Sequence, residues 1–184
     1  MTEAVALAAA LVLAQGPASS ATQARETAYA RMPLADKIGN DPELVKAIVA
    51  KNRVPESSAE IQRIDRQWMR DPKLPLRKTL TTGPCADRLR KLVADDKLVV
   101  EAFLMDERGG LVCATVETSD YWQGDEAKWQ KTYRDGAPVF IDEPALDAST
   151  GVFAVQLSRL ISDGGGKVGA LTLTLKIPRS SLPR

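Results

Sequence analysis

Residues 118–133, TSDYWQGDEAKWQKTY, gather Tyr121, Trp122, Trp129 and Tyr133, four of the chain's six tyrosines and tryptophans, around Asp120, Asp125, Glu126, Lys128 and Lys131. Apolar walls with a few convergent polar groups are what a small-molecule pocket requires, and Asp147 downstream adds another carboxylate. Carboxylates held in unlike environments can also do acid–base work. An enzyme here would therefore draw on Asp120, Asp125, Glu126 or Asp147. The plain alternatives are a packed corner between sheet and helix for the aromatics, and solvated surface charge for carboxylates that neighbour Lys and Arg. Trp129 and Tyr133 are four residues apart, so on a helix they share a face.

The composition narrows that chemistry. The chain of 184 residues contains no histidine. It lacks the commonest general base and transition-metal ligand, so Ser-His-Asp, Cys-His and H-E-x-x-H constellations are impossible. The reading is of no catalytic residues and no enzyme. Net charge is +1, with no basic excess to suggest nucleic acid. Cys85 and Cys113 match no zinc-ligand spacing. They are open to two readings: a disulfide in an oxidising compartment, or, for Cys113, a small buried residue in a strand. The glycines 164–166 open no helix, so they read as a hairpin turn rather than a phosphate cradle. No cofactor is indicated.

The elements that must position these residues divide at Lys97. Residues 4–14, AVALAAALVLA, are apolar and too short to span a membrane, which suits a secretory leader. Ala21 and Ala24 offer cleavage points, although Glu3 stands where a leader carries a basic residue. An anchor or a buried helix would also explain the run. Residues 1–24 are assigned to the leader, 25–97 to a helical segment, 98–178 to the sheet with its pocket loops, and 179–184 to a tail. Helices are expected over 25–32, 41–52, 57–72 and 85–97. Pro42 lies in a first turn, and Ser57 with Glu60 forms a capping-box pattern. Lys73–Pro84, with two prolines and a glycine, reads as a linking loop. Five strands follow, at 98–106, 111–117, 139–142, 151–161 and 168–177, mostly in tight hairpins. The fold class is α+β: helices on one side of an antiparallel sheet of about five strands.

The order FLMDERGGLVCAT, then DYWQGDEAKW, then DASTG before a long strand, resembles the Cache family of extracytoplasmic, PAS-like sensor domains of bacterial receptors. The resemblance covers about 41–177. It implies a single domain with a long N-terminal helix on an antiparallel sheet, binding a small organic ligand between that sheet and the loops after its second strand. Transferred by motif, the ligand site comprises Tyr121, Trp129 and Asp147, with Asp120, Trp122, Tyr133, Phe140, Asp142 and Gln156 behind them. Amino-acid-binding members carry an arginine two residues before the tryptophan, to grip the ligand carboxylate. Here that position is Ala127, leaving Lys128 or Arg134 as the only substitutes. An acidic, aromatic pocket favours an amine; an organic acid stays open.

The implied function is that of an exported, periplasmic small-molecule sensor without catalysis. Because the chain stops at IPRSSLPR, output is expected through a separate membrane receptor or kinase, or by binding alone. A protein–protein interaction module with a vestigial pocket is the alternative, followed by a carboxylate-based enzyme.

Overall fold

The computed structural model describes residues 20–177. The apolar run at 4–14 and the tail at 179–184 lie outside the described residues. Ala21 and Ala24 fall within the first helix, where Ala24 is fully buried. No helix among the described residues is long and apolar enough to cross a membrane.

Prolines cut the N-terminal half into short helices: α1 (Ser20–Tyr29), α2 (Met32–Gly39), α3 (Pro42–Asn52), α4 (Ser58–Arg70), α5 (Pro75–Thr82) and α6 (Pro84–Val93). Pro42, Pro75 and Pro84 are each the first residue of their helix, where the missing N–H leaves no hydrogen bond unmade. That is why the Lys73–Pro84 stretch contains α5 rather than the loop expected of it. Its prolines begin helices instead of breaking them. Asp41 caps α3 by accepting from the Glu43 and Leu44 amides, and also binds Arg88 of α6. Ser57 caps α4 through the Glu60 amide, but the Glu60 side chain turns to Arg63, so only half of the capping box forms.

The strands are β1 (Val99–Met105), β2 (Leu111–Ala114), β3 (Val139–Ile141), β4 (Ala145–Leu146), β5 (Phe153–Asp163) and β6 (Gly166–Lys176). All pairings are antiparallel, in the order β2-β1-β6-β5-β3, with two-residue β4 also on β5. β4 is the strand that periodicity could not reveal: two residues carry no alternation. β5 and β6 run to Asp163 and Gly166, so their turn is Gly164–Gly165 alone. Both take positive φ, 55° and 89°, as a two-residue hairpin turn of this hand requires.

Alternation along the strands assigns the two faces. In β6 the sequence LTLTL sends Leu171, Leu173 and Leu175 into a core shared with Ala24, Ala28, Ile38, Leu44, Ile48 and Leu89 of the helices. Thr172 and Thr174 point to the opposite face, where both are fully buried. β5 does the same, with Val155, Leu157 and Ile161 in that core and Gln156 and Ser158 opposite. One end of the second face is apolar. Phe103, Met105 and Ala170 lie there under Ile61, Ile64 and Trp68 of α4 and under Tyr121. Its other end is polar. Cys85 and Cys113 are joined in a disulfide that fastens the start of α6 to β2.

Candidate functional site

The polar end of the second face is the floor of a cavity of about 230 Å³, the room of seven or eight waters at ~30 Å³ each. β1 contributes Glu101 and Phe103, and β5 contributes Ala154 and Gln156. The walls are Thr118, Ser119 and Gln123 from the loop after β2, Glu126 and Lys128 at the next helix, and residues 142–143 and 145–149 around β4. That helix is α7 (Ala127–Trp129), which runs on as one π-helical stretch, Gln130–Arg134.

Charge dominates the lining: Glu101, Glu126, Asp142, Glu143 and Asp147 face a single cation, Lys128. Lys128 is buried, pairs with Glu126 at 2.8 Å and lies 5.3 Å over the Phe103 ring. Glu143 at the lip binds Arg25 of α1 at 2.7 Å. Glu101, Asp142 and Asp147 have no ion pair among the described residues.

Asp147 is held by its own loop. Its Oδ1 accepts from the Ser149 hydroxyl at 2.7 Å, the Thr150 amide at 2.9 Å and the Thr150 hydroxyl at 2.8 Å; its Oδ2 accepts from Gln156 at 3.2 Å. Burial works to raise its pKa, but these bonds outweigh it and hold Asp147 below the usual aspartate range. Glu101 is the reverse. At 2% exposure, burial pushes its carboxyl above the ordinary glutamate value, despite the bond from Thr174 at 2.8 Å; the Ser149 hydroxyl oxygen lies 2.9 Å from its Oε1. Burial likewise raises Glu126, against the pull of Lys128, and Asp120, against bonds from Ser119 and Gln123.

Of the residues transferred by motif, Asp142, Asp147 and Gln156 line the cavity. Asp120 lies just behind the wall, bonded to Ser119 and Gln123. Phe140 is paired with Ser158 on β5, so it shares the cavity face of the sheet without lining the cavity. The other aromatics lie elsewhere. Tyr121 is buried against Trp68, with ring centroids 6.1 Å apart, and donates its hydroxyl to Glu56 at 2.7 Å. Trp122 donates to the Arg108 carbonyl at 2.8 Å. Trp129 stacks on Tyr133 at 5.3 Å and donates to the Asp106 carbonyl at 3.0 Å. Their ring N–H groups thus tie the loop after β2 to the β1–β2 turn. Of the two substitutes for the missing arginine, Lys128 lines the cavity. Arg134 is exposed and paired with Asp135.

Glu101, Ser149, Thr174 and Gln123 were not singled out from sequence. A lone acid within the apolar strand VVEAFLM was the available signal for Glu101, and LTLTL for Thr174. Gln123 gave none.

No family model matches the chain, and no curated protein sequence matches it. Several solved structures are similar to it. The sensor domain of the Vibrio cholerae histidine kinase DctB is 14% identical with a TM-score of 0.49, the match covering 85% of this chain and 51% of that one. The Escherichia coli DcuS sensor domain is 13% identical with a TM-score of 0.46, over 84% of this chain and 92% of that one. The ligand-binding domain of the Pseudomonas aeruginosa amino acid chemoreceptor PctC, solved with GABA, is 12% identical with a TM-score of 0.43, over 86% and 57%. The chain thus spans about half the length of the DctB domain. These are Cache-type domains, the kind the motif order resembles. At such identities and scores they bear on neither ligand nor activity.

Proposed function

We propose that the chain is a small-molecule-binding sensory domain that works without turnover and takes a small organic cation, an amine rather than an organic acid. The observation that carries this is the charge of the cavity. Among the described residues Glu101, Asp142 and Asp147 have no ion pair, while the cavity's ammonium, Lys128, is committed to Glu126. An ammonium ion entering it would gain charge-assisted hydrogen bonds in a partly desolvated site. A carboxylate ligand would meet several like charges and, among the described lining residues, no guanidinium. The sensory part of the reading rests on the Cache resemblance, which also makes a membrane receptor or kinase the expected partner. The disulfide supports a location in an oxidising, extracytoplasmic space.

The test is a thermal-shift and calorimetric comparison of ethanolamine and putrescine with succinate on the purified chain. An amine at 100 times its Kd should add ~2.7 kcal/mol of stability, and Asp147→Asn should remove the response. Stabilisation by succinate but by neither amine would overturn the cation reading.

A further inference from the structure

Ser149 has one hydroxyl proton and two carboxylate neighbours. Its Oγ lies 2.7 Å from Asp147 Oδ1 and 2.9 Å from Glu101 Oε1. A hydroxyl donates one hydrogen bond. If it donates to Asp147, its lone pairs face Glu101 Oε1, and that approach is a hydrogen bond only when Glu101 itself carries a proton. The other contacts select this arrangement. Asp147 collects three further donors, from the Thr150 amide and hydroxyl and from Gln156, as suits an anion. Among the described residues Glu101 has only the Thr174 hydroxyl besides, on Oε2, as suits the carbonyl oxygen of a neutral acid.

We propose that Glu101 and Asp147 share one proton through Ser149, held on Glu101 Oε1 and expelled to solvent when an ammonium group enters the cavity. This rests on the cation reading of the site. The exchange balances: the O–H bond of Glu101 breaks, its electron pair stays as carboxylate charge, the proton passes to water, and the ligand's positive charge takes its place. Ser149 can then turn its hydroxyl to Glu101, because the ligand supplies Asp147 with a new donor. The charged groups around Glu101 shape the exchange. Asp147 and Lys128 act on it directly, from the loop after β4 and from α7. Glu126, before α7, and Asp142 and Glu143, between β3 and β4, share the cavity. Burial and the Asp147 charge favour the neutral form of Glu101, and Lys128 opposes them. The cavity becomes an ammonium–proton exchanger whose affinity for amines increases with pH.

Ethanolamine binding to the full chain, measured calorimetrically in phosphate and in HEPES at one pH, counts the protons released. Up to one per ligand is expected, with affinity rising up to tenfold per pH unit below the point where Glu101 ionises. Glu101→Gln, which keeps the hydrogen bonds of the neutral acid, should lower the release to whatever Glu126 and Asp120 contribute and flatten the pH dependence. Equal release in both proteins would overturn the inference and leave the cation reading standing. Failure of ethanolamine and putrescine to bind would overturn both. Independently of any ligand, a carbon-13 titration of the Glu101 carboxyl in the purified chain reads where the proton sits. Ionisation of Glu101 at the ordinary glutamate value would overturn the proposal, whereas ionisation well above it, lowered in Ser149→Ala, supports it.

Discussion

Asp147 and Glu101 share a hydroxyl yet titrate in opposite directions, so their effects on stability oppose each other. A carboxyl whose value is raised by folding contributes stability that is complete below its unfolded value and is lost as pH rises through the folded one. A carboxyl whose value is lowered contributes stability above its unfolded value and loses it as pH falls through the folded one. Glu101 belongs to the first kind and Asp147 to the second. Glu101→Gln should therefore reduce the loss as pH rises to the share of the other raised carboxyls, Glu126 and Asp120 among them, while keeping the loss on the acid side. Denaturant midpoints across pH 3–9, roughly, would show this as a one-sided flattening. Asp147→Ala, which strands donors from Ser149, Thr150 and Gln156, should cost about 1.5–3 kcal/mol in urea unfolding, the range for hydrogen bonds to a charged group. Asp147 and Gln156 entered the candidate site through the Cache resemblance, and both line the cavity. Tyr121 and Trp129 were legible as important but not as to place: a large ring suits a packed corner and a pocket wall equally. Only their partners, Glu56 for one and the Asp106 carbonyl for the other, distinguish the two.

Each strand of the β5–β6 hairpin serves two faces, and this was the most readable part of the chain. LTLTL declares a two-sided strand whose leucines need a core and whose threonines need polar company. The helical half was readable where caps and periodicity agreed, as in α3 and α4. It was opaque at α5, where proline as a helix starter looks the same in sequence as proline in a loop. Close packing between layers left little trace beyond one residue. A Cβ at Gly169 would lie 2.2 Å from the Met105 carbonyl oxygen and 2.9 Å from the Ile48 side chain. Gly169→Ala should thus separate β6 from β1 or lift α3, costing about 1–3 kcal/mol or more as overpacking does. Chemical denaturation measures that cost. Amide exchange in β1 and β6 should accelerate with it.

At the scale of the whole molecule the disulfide and the two layers act together. Cys85 and Cys113 close a loop of 28 residues that contains the passage from helices to sheet. Loop-closure entropy sets the stabilisation at about 3–4 kcal/mol. Reduction, or Cys85→Ala with Cys113→Ala, should lower the free energy of unfolding by that order, read as a shift in urea midpoint with and without reductant. The bridge also explains why the cysteine pair had two readings in sequence. Cys113 is a buried strand residue and a disulfide partner at once, and spacing alone contains neither fact.

β5 has a mechanical consequence. Gln156 reaches Asp147 at the cavity, while its neighbours Val155 and Leu157 lie in the helical core. A strand is nearly inextensible, at about 3.3 Å per residue, and a close-packed core yields little. A displacement of the Gln156 backbone therefore does not stay on one face. It is passed one residue along the backbone to the opposite side of the sheet, where α1 and α2 rest. The cavity and the helical core thus share one backbone, and β5 is the covalent link between them.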